Sequence, residues 1–474
     1  MDSNKAFKIA LIWPGSFDTS YVMPLGFAYL KAHIPSEHNV KVIDLAINKI
    51  DCQSEEFKEM FQSFNPDIVG ISCWSFNSKE AFEIAKTVKC LKKDVKVIMG
   101  GIHSTVAPGN VIENENVDFV LRGEGEISFP ALIREIQKGT AADFSNVNGL
   151  VFRDGEKVCY NDIKITENLD ELKLPDYDAI DLERYLQNGY RIFDPLSKRN
   201  APVLFTRGCP YSCNYCSGPI VSGRKIRKHS VDYMVEWVKY LYFNKNIRLV
   251  TIIDDNFTFD VKFAKEFCRR IIDLNLENIS FSTPNGIHIQ HTDSELFELM
   301  RKAGWRYLTV APESGSQNTL KLMNKKVDLS IYKQKIKEIK AANIKVHAFF
   351  IVGYPGETKE DLMLTKRFIK NHSFDAIFIN NFQPLPYTPV FNQLVANGEI
   401  STEVIPKNYA NGVRVYKPKE LKDFDFPKYI LGIYLSFALR NPGKIVYSLK
   451  VLSVKRTLKN LLSQLGASRI KRRK

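Results

Sequence analysis

The sequence predicts an α/β protein of two parallel-sheet units. The first is a Rossmann-like, doubly wound sheet, the second a (β/α)6 partial TIM barrel, followed by a C-terminal helical extension. Three observations predict this. Short β-rich apolar runs alternate with amphipathic helical stretches through about the first 140 residues, and the same alternation restarts at Pro202. The chain of 474 residues also exceeds what one hydrophobic core usually holds.

The first runs are 8–13, 40–45, 68–73, 96–101 and 119–121. Each is continuously apolar rather than alternating, as in parallel strands buried on both faces. Amphipathic stretches such as 78–92 separate them, which makes five β–α units. Residues 150–160, with Asp154-Gly155 at the centre, read as a β-hairpin. Residues 161–200 are rich in Asp, Leu and Pro without a steady period, and read as a linker. The second series places strands at 202–206, 248–254, 279–284, 307–311, 345–352 and 376–382, with helices such as 232–243 and 329–342 between them. The resulting division is 1–148 for the first sheet, 149–200 for hairpin and linker, 201–395 for the barrel and 396–474 for a helical, basic extension.

Composition narrows the function classes. Hydrophobic residues at 44% and charged residues at 25% exclude wholesale disorder and collagen-like structure. No apolar run reaches the length of a transmembrane helix. The opening residues are too briefly apolar before Pro14 to form a secretory signal, so a cytoplasmic location with reduced cysteines is expected. The net charge of +14 is local: from Phe426 onward there are 12 Lys and Arg and no Asp or Glu, leaving 55 basic and 53 acidic residues before it. No nucleic-acid partner is therefore expected for the main body. Within the tail, 445–465 repeats apolar residues at helical spacing. That pattern suits peripheral contact with a membrane surface or a lid over an anionic substrate, and equally a helix pair packed on the barrel.

Cys209, Cys213 and Cys216 stand just after the first barrel strand, in Thr-Arg-Gly-Cys-Pro-Tyr-Ser-Cys-Asn-Tyr-Cys. Strand ends of such barrels carry the chemistry. Three thiolates in one loop can hold three corners of a [4Fe–4S] cube and leave one iron open. A zinc knuckle would want a fourth protein ligand, which no nearby Cys or His supplies. Three unrelated buried cysteines are the plain alternative.

This loop, with aromatic Tyr215 before its last cysteine, resembles the signature of the radical S-adenosylmethionine (SAM) superfamily. The resemblance extends to later strand ends. Asp254 and Asp255, in Ile-Asp-Asp-Asn-Phe, imply carboxylates that meet the SAM ammonium or a substrate. Glu313 and Ser314, in Pro-Glu-Ser-Gly-Ser, resemble the ribose-binding segment. Gly353, in Val-Gly-Tyr-Pro-Gly-Glu-Thr, resembles the turn that approaches the adenine. Read alone, each has a plain explanation: an acidic helix start, a helix cap and a tight turn. The resemblance covers about 202–389.

The first unit has a glycine pattern of its own: Gly26 at the first helix, Gly70 and Ser72 in the third strand, Gly100 and Gly101 ending the fourth, and Gly123-Glu124 after the fifth. Glycines at strand ends clear room for a large ligand at the carboxyl edge, or simply make tight turns. Together these segments resemble the cobalamin-binding domain fused to many radical SAM enzymes. The D-x-H-x-x-G signature of the cobalt-ligating type is absent, since His103 follows Gly101 rather than Asp, as is usual in the fused family.

The resemblance implies a cobalamin-dependent radical SAM methyltransferase using a [4Fe–4S] cluster, SAM and cobalamin. One SAM methylates cobalamin, and another is cleaved to a 5′-deoxyadenosyl radical that activates an unactivated carbon of the substrate. A small-molecule substrate and an external one-electron reductant of flavodoxin or ferredoxin type are implied partners. No residue is singled out as catalytic. Three alternatives stay open: a cyclase or rearrangement enzyme without methyl transfer, a methylthiotransferase with a second cluster on Cys52, Cys73 and Cys90, and a non-enzymatic corrinoid or redox sensor.

Overall fold

The computed structural model describes residues 6–15, 22–187, 199–402, 416–444 and Tyr447. The chain divides into two units, Met1–Tyr190 with Ile220–Ser222, and Arg191–Pro219 with Gly223–Lys474.

In the first unit, β1 (Lys8–Trp13), β2 (Asn39–Asp44), β3 (Ile68–Ser72), β4 (Lys96–Gly100) and β5 (Phe119–Leu121) pair in parallel in the order β2-β1-β3-β4-β5. The crossing of β1 to both β2 and β3 makes the sheet doubly wound, as the continuous apolar runs predicted. The hairpin also forms, as β6 (Leu150–Asp154) and β7 (Lys157–Tyr160), and it extends this same sheet by pairing antiparallel to β5. Arg153 secures it, donating to the carbonyls of Val117, Ile112 and Asn114. One core lies beneath the helices Glu55–Phe64 and Ser78–Leu91, where Phe57, Phe61, Ile84 and Val88 meet Val69, Ile71, Val97 and Met99. The helix Glu55–Phe64 starts at Ser54, whose Oγ accepts from Phe57 N at 3.3 Å, and carries Glu55 and Glu56 at its positive end.

The second unit holds β8 (Asn200–Val203), β9 (Thr206–Arg207), β10 (Arg227–Lys228), β11 (Leu249–Ile252), β12 (Ser280–Ser282), β13 (Tyr307–Glu313), β14 (Lys345–Val352) and β15 (Ala376–Asn381). Six of them form two parallel three-stranded ladders, β8-β11-β12 and β13-β14-β15. The middle of the predicted barrel is thinner than expected: among the described residues, the β-pairing between the two halves is limited to the bridges Phe281↔Trp305 and Ile287↔Val310. Pro284, without an N–H, and Gly286 at φ 96° follow β12 and limit the ladder there. The first predicted strand, 202–206, is likewise split. Its start lies in β8, and its end turns into β9, which pairs antiparallel with β10. That short ribbon brackets the cysteine loop.

The helix Phe426–Arg440 bears out the helical extension as far as the described residues go; Tyr434 Oη accepts from Ile379 N at 3.2 Å, placing it on β15. The amphipathic stretch 445–465 lies outside them except for Tyr447, whose Oη is 2.8 Å from His347 Nε2. Among the described residues, no helix is long and apolar enough to cross a membrane.

Helix Lys359–Asn371 lies so close to the end of β13 that a Cβ on Gly315 would stand 2.7 Å from Thr365 Cα. Gly315→Ala should lower the unfolding free energy by roughly 1–3 kcal/mol, read by chemical denaturation, because the added Cβ meets helix backbone and Phe368 Cβ, none of which can swing aside.

Candidate functional site

The cysteine loop is held mostly by backbone. Cys209 N donates to Gly223 O at 3.1 Å, Asn214 N to Met323 O at 2.9 Å, and Val390 N to Asn214 O at 3.2 Å. Asn324 Nδ2 donates to Ser212 O at 2.7 Å, and Asn214 Nδ2 to Leu322 O at 3.1 Å. Gly208, at φ 98°, turns the chain into the loop where any Cβ would collide with Lys225 O. The loop is thus tied to β13's following helix and to the helix Pro389–Ala396, which opens after β15.

Within it, Cys209, Cys213 and Cys216 are free thiols of intermediate exposure. Burial raises the first two above the ordinary thiol value and pushes Cys216 up to about 11, against the Gly218 N–H that donates to its sulfur at 3.3 Å. Cys216 feels the charges of both Cys213 and Cys209, and Asp255 acts on Cys209 and Cys216, so the four groups are neighbours. Among the described residues, no three His, Cys, Asp or Glu side chains form a group fit for a single metal ion. The donor set itself, three thiols in one pinned loop, fits three corners of a cluster with a fourth left open. Such thiols deprotonate on binding metal, and their raised values make that binding pH-dependent.

The two acidic residues after β11 part company. Asp254 is buried, and its carboxylate accepts from Phe205 N at 2.8 Å and Thr206 N at 2.9 Å. Burial lifts it to about 8 against those hydrogen bonds. The structure therefore puts Asp254 to a different use from the expected contact with SAM: it ties β11 to the strand that launches the cysteine loop. Asp255 is exposed beside Cys216.

Glu313 ends β13 after a bulge, with φ 63°. Its Oε1 accepts from Tyr215 Oη at 3.1 Å and from Lys325 Nζ at 3.0 Å, and Lys325 Nζ also lies 3.4 Å from Tyr215 Oη. Tyr215 is half-buried, its phenol raised by desolvation, with Tyr354 edge-on at 6.4 Å. Ser314, expected at the ribose, is fully buried instead: its Oγ is 3.0 Å from Thr365 Oγ1 and accepts from Ser316 N at 3.1 Å. Gly353 makes the expected turn, with φ 81° and its N–H on Glu357 Oε2 at 2.6 Å.

On the first sheet, Ser72, Gly100 and Gly101 lie at the carboxyl ends of β3 and β4 and Gly123-Glu124 just past β5; Gly26 lies in the helix Leu25–His33. Gly101 (φ 101°) and Gly123 (φ 73°) need their residue type for conformation, and space is open beside Gly26. Gly70 is different: it is buried, and a Cβ there would stand 2.9 Å from Leu11 Cδ2, so packing explains it. His103 is also buried, with Nδ1 3.1 Å from Ser75 Oγ and Nε2 3.3 Å from Asn110 Oδ1. Cys73 is buried in the core and Cys90 exposed on its helix.

Lys325 and His288 were not anticipated. Lys325 stands twelve positions after Glu313, beyond one helix, and no local pattern distinguishes it from its neighbour Lys326. His288 stacks on Tyr211 of the cysteine loop at 4.4 Å, and burial, then Lys325 and His291, lower it to about 4.

Of the two parallel-sheet units, one carries three thiols and a part-buried Glu–Lys–Tyr network at its strand ends. Residues 203–369 match the radical SAM superfamily and 19–133 the B12 binding domain. The chain thus carries a radical SAM domain and a B12-binding domain, and its cofactors are a [4Fe–4S] cluster, SAM and cobalamin. An uncharacterised methyltransferase of Pyrococcus horikoshii is 28% identical over 93% of each chain. The anaerobic magnesium-protoporphyrin IX monomethyl ester cyclase of Rubrivivax gelatinosus is 28% identical over 78% of this chain and 66% of its own. The fold is shared with the methyltransferase TsrM of Kitasatospora setae, at TM-score 0.69 and 17% identity over 82% of this chain and 76% of that one.

The lowered value of His288 means the fold favours its neutral form. Its contribution to stability is present above about pH 6.5 and lost as pH falls toward about 4. Denaturant titrations at pH 7 and pH 5 should show His288→Gln losing less stability on acidification than the parent.

Proposed function

We propose that Cys209, Cys213 and Cys216 hold the cluster and that the enzyme transfers a methyl group to an unactivated carbon of a small molecule. The observation that carries the proposal is the pinned loop of three free thiols beside the part-buried Lys325–Glu313–Tyr215 network. Bound there, cluster and SAM supply a primary carbon radical, and cobalamin supplies a methyl group. The chain's own residues bind and orient. Lys325 offers a buried ammonium to a carboxylate, Asp255 a carboxylate to an ammonium, and Glu313 an acceptor to hydroxyls, while the Gly353 turn lets backbone approach a flat base. Asp254 sets the angle of the loop, and Tyr215 and Tyr354 keep water from the network. An external one-electron reductant is needed, as for the superfamily generally.

Methyl transfer is favoured by the relatives named as methyltransferases, which include that of P. horikoshii across nearly its full length and the cytidylyl-2-hydroxyethylphosphonate methyltransferase of Streptomyces wedmorensis. A ring-forming reaction without methyl transfer is the second reading, carried by the cyclase relative. A putative methylthiotransferase of Methanocaldococcus jannaschii is 29% identical over 66% of this chain. A second cluster finds little support in Cys73, whose thiol burial pushes far up, or in Cys90, out on a helix surface.

Anaerobically reconstituted protein with SAM and dithionite should form 5′-deoxyadenosine, and Cys213→Ala should lose both that product and the iron. Absence of 5′-deoxyadenosine from the parent would falsify the radical reading. Methyl-labelled SAM should leave label in the product; an unlabelled product selects the ring-forming reading. Lys325→Met should raise the KM for SAM by about 10- to 100-fold, as loss of a charge-assisted contact does, with the iron content retained.

A further inference from the structure

Left-handed backbone singles out two residues of the second unit. Among its described residues, the non-glycine positions with positive φ are Asn246, Asn275, Asn278, Asn324 and Asn343, together with Glu313 at 63° and Tyr387 at 62°. Asparagine tolerates this region, whereas glutamate and tyrosine hold it only where surrounding structure compels them. Glu313 ends β13, and Tyr387 lies in the connection that follows β15. Glu313 has its place in the network with Lys325; Tyr387 has no such part.

Tyr387 belongs to the turn between β15 and the helix Pro389–Ala396. The next residue closes that turn, with Thr388 N and Oγ1 donating to Leu385 O at 3.2 and 2.7 Å. Val390 N then docks on Asn214 O, between Cys213 and Cys216. The strained residue is therefore three positions from a direct hydrogen bond to the cysteine loop. Its ring is 45% exposed and lies near-parallel to Phe391, 28° apart with centroids at 6.1 Å. A second open ring, Phe259 at 41% exposure, follows β11 and meets Tyr211 of the cysteine loop edge-on at 6.3 Å.

We infer that Tyr387 is a specificity-determining residue, its ring a stacking platform for a planar, conjugated substrate at the carboxyl edge of the barrel. Surrounding structure must enforce the backbone that holds this large ring open to water, and the exposure is relieved when a flat partner covers the ring. A saturated chain would be served as well by an aliphatic side chain at the same position. The inference rests on the proposed function, which places the reaction at this edge.

The test uses reconstituted holoenzyme with SAM, titrated anaerobically with protoporphyrin IX and indole as planar probes and palmitate as a saturated one. A planar probe should bind, Tyr387→Leu should weaken it by about 3- to 10-fold, and Tyr387→Phe should restore it. Equal affinity in the leucine variant, tighter binding of palmitate than of either planar probe, or no planar binding by the parent would each overturn the inference. The backbone is read separately: Tyr387→Gly should melt about 2–4 °C above Tyr387→Ala, since the pair differs only in the Cβ that a positive φ disfavours. An alanine variant that melts equally high removes the strain premise. Formation of 5′-deoxyadenosine by the parent without any probe keeps the two readings apart. If it fails, the proposed function falls; if it succeeds while leucine binds like tyrosine, only the platform falls.

Discussion

A single buried carboxyl, Asp254, connects the scaffold of the second unit to its chemistry. The cysteine loop leaves a strand that parts from β11 after Val203 and resumes only as the two-residue β9. Asp254 supplies what the ladder lacks, spanning the backbone amides of Phe205 and Thr206 from the end of the neighbouring strand. Desolvation weighs more heavily on it than those hydrogen bonds relieve, which is why its acid is raised rather than lowered. A group so placed is tolerated because the alternative is two unpaired amides in the core.

The same logic runs along the other strand ends. Gly315 lets β13 finish against the helix Lys359–Asn371, and Ser314, Ser316 and Asp361 fill that junction with hydrogen bonds. With its neighbours locked, Glu313 can be kept in a left-handed conformation that aims its carboxylate at Lys325 and Tyr215. Strain at one residue is borne by packing at the next three. The charged pair is buried and shares an acceptor oxygen with a phenol, an arrangement preorganised for polar ligands rather than one that adds much stability.

Much of this was legible in the sequence. Continuous apolar runs marked most of the parallel strands to within a residue or two, because burial on both faces leaves no room for polar alternation; β2, at the sheet edge, alternates and is exposed at Asn39 and Lys41. The cysteine spacing marked the loop, because a cluster needs its ligands close together in any fold. The hairpin's partner, the ribbon formed by β9 and β10, and the thin middle of the barrel were not legible. Each depends on which segments meet across dozens of residues, and neither periodicity nor composition carries that information.

The chain by itself determined the order of its elements, the two-unit plan and the residue types that can bind iron, because these follow from local hydrophobic period and side-chain chemistry. Only the tertiary structure decided which members of a motif face a ligand and which face the core. It turned Asp254 inward and left Asp255 out, buried Ser314 behind Glu313, filled the space beside Gly70, and brought Lys325 to the network. The physical reason is desolvation: a polar side chain is steered by whichever unpaired partner burial leaves beside it, and that partner is chosen by packing, not by sequence neighbours.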